Sequence, residues 1–146
     1  MIKGRIIASL LMLLATTAIL AQQPADSTIF RGYLYNADYE VFLRLNLYQQ
    51  NITVPGQELY GELPGYLQRE HTSFCWLITA ATIDDARTAQ LEMVNDYGSE
   101  DLTAELTFDG DSIYTLRQLE GSTLKVPRNN KWQRLPKVLK MKKKQI

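Results

Sequence analysis

Beyond its first two dozen residues, this chain places its hydrophobic side chains at every second position. In "YEVFLRLNLY" (39–48) Tyr39, Val41, Leu43, Leu45 and Leu47 alternate with Glu40, Phe42, Arg44, Asn46 and Tyr48. Successive strand side chains point to opposite faces, so this segment predicts a strand with one core face. "TIFRGYLYN" (28–36) reads as its partner, with a turn at Asn36-Ala37-Asp38. Pro55-Gly56 and Pro64-Gly65 are turn dipeptides, because proline presets φ and glycine accepts the positive φ that follows. They bracket a short strand, "QELYGEL".

The same rhythm continues through "SFCWLITAATI", "ARTAQLEMVN", "DLTAELTFD", "SIYTLRQLEG", "TLKVP" and "WQRLPKVLKMKKK". Asp109-Gly110-Asp111 predicts a tight hairpin, and Asn129-Asn130-Lys131 another turn. "TIDDARTAQLEMV" has a helical alternative starting near Asp84, but its alternation and β-branched neighbours favour strand. The expectation is therefore an all-β domain, an antiparallel up-and-down barrel or sandwich of about eight to ten short strands.

The N-terminus follows a different pattern. Lys3 and Arg5 precede an apolar run from Ile6 to Leu14, and small residues follow. That order is the signature of a secretory signal peptide, cleaved after Ala21 or, at Thr16-x-Ala18, after Ala18. The uninterrupted apolar run is short for a membrane anchor, which needs about 20 residues. The expected organisation is residues 1–21 signal peptide, 22–27 linker, 28–141 one β domain and 142–146 a basic tail. A secreted or periplasmic location follows, with no membrane span after cleavage. A membrane-spanning β-barrel is disfavoured by the lysines on the last strand, which would face lipid.

Charge separates along the chain. Residues 22–124 hold five basic and sixteen acidic side chains, whereas residues 125–146 hold nine basic and no acidic ones. Lys137, Lys140, Lys142, Lys143 and Lys144 form a candidate patch for an anionic partner, such as an acidic glycan or lipopolysaccharide phosphates. The alternative is a closing edge strand, with Leu139 and Met141 inward and lysines outward to discourage unwanted pairing. Nucleic acid does not suit an exported chain.

Candidate chemistry is sparse. The polar stretch "VNDYGSEDLTAEL" (94–106) offers Asp96, Glu100 and Asp101 as oxygen donors for calcium, yet their spacing fits no EF-hand loop. A solvated turn between strands accounts for the same residues more simply. The single histidine, His71, excludes a multi-histidine zinc site, and on one strand it would lie about 13 Å from Cys75, the single cysteine. Within its apolar run Cys75 reads as a small buried hydrophobe. With no phosphate loop or dinucleotide fingerprint, no catalytic residue and no cofactor are expected.

"FRGYLYN" (30–36) resembles the G-x-W opening of lipocalins and other calycins, with Gly32 at the glycine and Leu34 where the tryptophan stands. The resemblance implies an up-and-down barrel able to enclose a cavity, and it transfers no binding residue. Tyr33, Tyr35, Phe42 and Tyr48 fall opposite the core register near Arg44. Tyrosine combines a large apolar area with a hydroxyl that tolerates water, which suits a sugar-stacking or protein-binding surface. The functional expectation is a non-enzymatic binding module for a small apolar or glycan ligand or a protein partner, with Tyr33, Tyr35, Phe42, Arg44 and Tyr48 as its surface. Alternatives are an envelope subunit or inhibitor of a secreted enzyme, and a hydrolase built on acidic residues.

Overall fold

The computed structural model describes residues 28–145. The expected signal peptide and linker lie outside the described residues. Twelve strands run β1 Arg31–Asn36, β2 Val41–Asn46, β3 Ile52–Thr53, β4 Glu62–Leu63, β5 Gly65–Arg69, β6 Cys75–Ile83, β7 Thr88–Asn95, β8 Asp101–Gly110, β9 Ile113–Gly121, β10 Lys125–Arg128, β11 Lys131–Arg134 and β12 Val138–Lys144. Eight of them close into one antiparallel barrel in the order β1-β12-β9-β8-β7-β6-β5-β2, with β2 paired back to β1. Omitting the two small hairpins, every barrel strand pairs with its neighbours in sequence, so the topology is up-and-down. The choice between barrel and sandwich is thereby resolved.

Alternation builds the wall. Val41, Leu43 and Leu45 of β2, Leu102, Ala104 and Leu106 of β8, and Leu139 and Met141 of β12 are buried inward. Their strand neighbours Arg44, Glu105 and Lys140 face outward and are half-buried or exposed. Oil inside and charge outside is the inverse of a membrane-spanning barrel. "TIDDARTAQLEMV" forms β7, not a helix, with Ala89, Leu91 and Met93 in the core.

Both ends of the barrel are stoppered. At one end the β10–β11 hairpin folds across the opening. It buries Val126 beside Leu124 and Leu135, and the Trp76 indole N–H donates to the Lys125 carbonyl at 2.8 Å. At the other end Phe30 and Leu47 fill the mouth, and the Tyr114 hydroxyl donates to the Ile29 carbonyl. A hollow able to hold a ligand would leave its walls open to water. Instead Phe30, Val41, Leu43, Leu67, Trp76, Ile78, Leu106 and Tyr114 are all at 0% exposure. The barrel is packed solid, so the cavity that a lipocalin-like barrel implies is filled by side chains.

A second apolar layer lies outside the wall. The β3–β4 hairpin straps across β5, β6 and β7, covering Tyr66, Cys75, Leu77 and Val94 with Ile52, Val54 and Leu63. Cys75 is buried there as expected, on the outer side of the wall rather than within the barrel.

The turns follow residue chemistry, with some departures from the sequence expectation. "QELYGEL" is not one strand, because residues Glu58–Tyr60 make a turn of 3-10 helix and only Glu62–Leu63 pair. The short strand β5 was not foreseen from the sequence. The β8–β9 turn centres on Asp111 and Ser112 at φ 49° and 64°, two residues after Asp109, and Gly110 pairs with Ile113. Two consecutive positive φ values match the twist of a tight hairpin, and Asn129-Asn130 repeats them at 51° and 62°. Gly121 is required by space as well as by its φ of +97°, since a Cβ there would lie 2.5 Å from the Asp101 carbonyl oxygen.

The last strand runs through Lys144, so Lys142–Lys144 belong to the wall and not to a separate tail. Moreover β12 is no edge: it pairs with β9 on one side and β1 on the other. The edge-protection account of its lysines is thereby removed.

Candidate functional site

Barrel closure brings three distant stretches onto one outer face. On β1 and β2, the outward residues Tyr33 and Tyr35 stand directly opposite Arg44 and Phe42. On the other side of β1, Tyr33 and Tyr35 oppose Lys144 and Lys142 of β12. Beyond β2, Tyr66 of β5 sits opposite Arg44, and Gln68 opposite Phe42. Residues more than a hundred positions apart thus form one cross-strand lattice, in which directly opposed and diagonal side chains come within reach of one another.

The aromatic rings pack into a continuous strip. Tyr33 and Phe42 have centroids 6.0 Å apart, and Phe42 meets Tyr66 edge-on at 5.7 Å. Two cations rest on this strip: the Arg44 guanidinium lies 5.3 Å from the Tyr33 ring centre and the Lys144 ammonium 4.7 Å from that of Tyr35. Each such contact is worth about 0.5–1 kcal/mol where water reaches it. Between them opens a groove of about 300 Å³ lined by Tyr33, Tyr35, Phe42, Glu70, Lys144 and Gln145. Tyr33, Tyr35 and Phe42 are half-buried, leaving ring faces available at the surface, whereas Tyr66 is buried beneath the strap.

Glu70 sits at one end of the groove. The Tyr35 hydroxyl donates to its carboxylate at 3.3 Å, and burial together with that carboxylate pushes the Tyr35 phenol above its ordinary pKa. Burial likewise raises the Tyr66 phenol, opposed by the Arg44 guanidinium. Both phenols therefore stay neutral at physiological pH, as hydrogen-bonding groups beside a cationic rim. Among the described residues, Arg44, Lys142 and Lys144 meet no carboxylate; Lys140 pairs with Asp109 at 3.2 Å.

The remaining sequence candidates lie elsewhere. Tyr48 does not join the surface. The chain leaves β2 after Asn46 and turns, so Tyr48 packs against Phe30 and its hydroxyl accepts from the Phe30 N–H at 3.1 Å. Lys143 faces the barrel mouth, where its ammonium donates to the Thr28 carbonyl, and Lys137 precedes β12 at the opposite end. Of the anionic-partner patch, therefore, Lys142 and Lys144 border the groove, Lys140 continues their row along β12, and Lys137 and Lys143 do not.

The stretch 94–106 turns a corner. Asn95, only 2% exposed, accepts from the backbone N–H groups of Ser99 and Glu100 at 2.9 and 3.3 Å and so shapes the β7–β8 turn. The proposed calcium donors go separate ways: Asp96 accepts from Gln57, Glu100 pairs with Lys125 at 3.0 Å, and Asp101 opens β8 exposed. Among the described residues no cluster of three acidic, histidine or cysteine side chains converges. His71 lies in an exposed turn at φ 60°, and burial pushes the Cys75 thiol up to about 12.

A second outer hollow, about 360 Å³, crosses β6, β7, β8 and β9 between Glu92 and Glu120. Both carboxylates are exposed on the outer wall.

Sequence reading missed Glu70 and Gln145 as parts of the groove, and Tyr66 as the buried ring that backs Phe42. Tyr66 belongs to β5, which is too short and too close to Pro64 to announce itself, and Gln145 is local only because the barrel closes. The chain matches no protein-family model, and no curated protein or solved structure shows significant similarity to it, so the functional reading rests on its own residues.

Proposed function

We propose that this chain is an exported, non-enzymatic binding module that holds an acidic glycan against the outside of its barrel. The supporting observation is the aromatic groove of Tyr33, Tyr35 and Phe42 rimmed by Arg44, Lys142 and Lys144. A pyranose ring presents flat C–H faces that pack on aromatic rings, while hydroxyls find the phenols, Gln145 and Glu70. The cations, with no carboxylate of their own, supply the field for a carboxylate or sulfate on the sugar. Outward lysines two residues apart on β12 stand about 7 Å from one another, a row suited to an extended polyanion.

In this reading the protein keeps the closed barrel of lipocalin-like proteins but moves recognition from the filled interior to the wall. The filling by Trp76, Tyr114 and the leucines favours an external site over an enclosed small apolar ligand. A protein partner is the second reading, favoured by the tyrosine-rich, half-buried character of the strip.

Titration calorimetry of residues 28–146 with acidic and neutral oligosaccharides tests the proposal. The acidic series binds, weakening with salt, and Tyr35→Ala loses about tenfold in affinity, or about 1.4 kcal/mol. Lys144→Ala loses about three- to fivefold, the size of one exposed cation contact. Binding that ignores both substitutions in variants with wild-type melting would reject the groove.

A further inference from the structure

We propose that the barrel end closed by the β10–β11 hairpin docks on a bilayer surface carrying anionic headgroups. Single exposed apolar side chains are ordinary on soluble proteins, but contiguous ones mark interaction sites. Among the described residues, the exposed large apolar and aromatic side chains are Leu59, Tyr60, Tyr97, Leu119, Trp132 and Val138. All six lie in the same half of the barrel. Leu119 lies near the end of β9 and Val138 opens β12, both beside this end. Of the other four, Trp132 lies on the hairpin that crosses it, Tyr97 on the β7–β8 turn at its rim, and Leu59 and Tyr60 at the tip of the strap that reaches it.

The four are tied together. Phe74, itself buried, meets Trp132 edge-on at 4.8 Å and Tyr97 at 5.7 Å, so two exposed aromatics flank one anchored ring. The β3–β4 strap rises along the wall until Gln57 donates to Asp96, next to Tyr97. One turn of 3-10 helix after Gln57 then presents Leu59, fully exposed, and Tyr60. The result is a crown of protruding tips on a rigid barrel. Tryptophan and tyrosine prefer the headgroup level of a membrane, where one end of the ring is apolar and the other wet.

The charge of the hairpin argues for an anionic lipid surface. Residues 125–137 carry Lys125, Arg128, Lys131, Arg134 and Lys137 and no carboxylate. Four of the acids around the crown are engaged within the protein. Glu100 pairs with Lys125, Glu40 with Arg69, Asp96 accepts from Gln57, and Glu58 folds back onto the Gly56 N–H at 3.0 Å. Glu62 on the strap, Asp38 in the β1–β2 turn, Asp101 at the start of β8 and Glu120 at the end of β9 remain exposed around this end, and none of them lies on the β10–β11 hairpin. Among the described residues Arg128, Lys131, Arg134 and Lys137 meet no carboxylate, so the hairpin keeps its positive field for something outside. Exposed aromatics between unpaired cations match a lipid surface whose headgroups are anionic and whose interior takes rings. The acidic-glycan groove opens on the side wall, so a docked barrel would leave it accessible.

Vesicle sedimentation with phosphatidylglycerol–phosphatidylcholine mixtures, read together with tryptophan fluorescence, tests the docking. The chain has two tryptophans: Trp76 is fully buried in the barrel, and Trp132 is half exposed on the crown. The expected result is co-sedimentation that grows with phosphatidylglycerol and falls with salt, with brominated lipid quenching Trp132 emission while the Trp76 signal is unchanged. Trp132→Ala and Leu59→Ser each lower the partition coefficient about tenfold or more. Leu59→Ser, at a fully exposed position, leaves the melting temperature unmoved, and Trp132→Ala, which gives up the contact with Phe74, lowers it by a few degrees while the barrel stays folded. Absence of co-sedimentation overturns the proposal. So does co-sedimentation that survives both substitutions but is lost in Lys142→Glu/Lys144→Glu, which would place the lipid on the side wall. Capture of an acidic polysaccharide by the crown, with vesicles ignored, overturns it equally.

Discussion

Replacing Asn95 by alanine tests whether the polar stretch 94–106 exists to turn the chain or to hold a cation. In the fold the Asn95 side chain accepts from Ser99 N–H at 2.9 Å and Glu100 N–H at 3.3 Å, and donates to Ser99 Oγ at 3.0 Å and Glu100 Oε2 at 3.3 Å. Alanine leaves two backbone donors without their acceptor and takes one donor each from Ser99 Oγ and Glu100 Oε2, the latter still paired with Lys125. An unsatisfied buried group costs about 1–3 kcal/mol. Ser99 is exposed, so water replaces its lost acceptor, whereas Glu100 is half-buried and its N–H is harder to reach. The expected loss is therefore about 2–3 kcal/mol, which for a domain of this size lowers the melting temperature by roughly 6–15 °C.

Asp101→Ala is the matched control, since Asp101 is exposed and its side chain bonds to none of the described residues, so the change should cost less than about 0.5 kcal/mol. Differential scanning calorimetry and urea unfolding measure both, and an unchanged m-value would show that the denatured state is unaltered. If Asp101→Ala proved as costly as Asn95→Ala, or millimolar calcium restored the loss, the turn account would be wrong and the carboxylates would be serving an ion.

Two further outcomes follow from titratable groups. Asp109 accepts from the Thr115 hydroxyl and from Lys140, and these hold its carboxyl below the usual range. A carboxylate whose pKa is depressed on folding stabilises above its unfolded pKa, and that contribution is lost as pH falls through the folded value. Thermal melts from pH 7 to 2 should thus show a smaller acid-induced drop for Asp109→Asn than for the native chain below about pH 4, and identical slopes would refute the coupling. Cys75, with its thiol pushed up to about 12 beneath the strap, should resist a disulfide reagent at pH 8 in the folded protein and react at once in denaturant. Reaction at the unfolded rate under native conditions would mean the strap does not cover it.

How far the site was legible depends on how local its cause is. Alternation in "YEVFLRLNLY" sufficed to place Phe42 and Arg44 outside and Val41, Leu43 and Leu45 inside, and "RGYLYN" did the same for Tyr33 and Tyr35. Tyr48 broke the pattern because the strand ended at Asn46, a boundary set by the hydrogen bonds of the Asn46 side chain to Tyr48 N–H and Gln49 N–H. A two-residue rhythm cannot see such a stop. The charge row on β12 was visible as well, but its interpretation was not. Edge protection and partner binding give the same sequence, and only pairing of β12 on both sides separates them.

By itself, then, the sequence determined what depends on neighbours along the chain: the all-β class, the inward and outward faces, the paired-asparagine turn and the separation of charge. The tertiary structure alone decided what depends on closure. It set Lys142 and Lys144 beside Tyr33 and Tyr35, filled the interior, laid the strap over Cys75 and gathered the exposed aromatics at one end. The physical reason is that strand alternation is a property of the local backbone, whereas which strand lies next to which follows from burying every apolar face at once. That global condition leaves no periodic mark in any single segment.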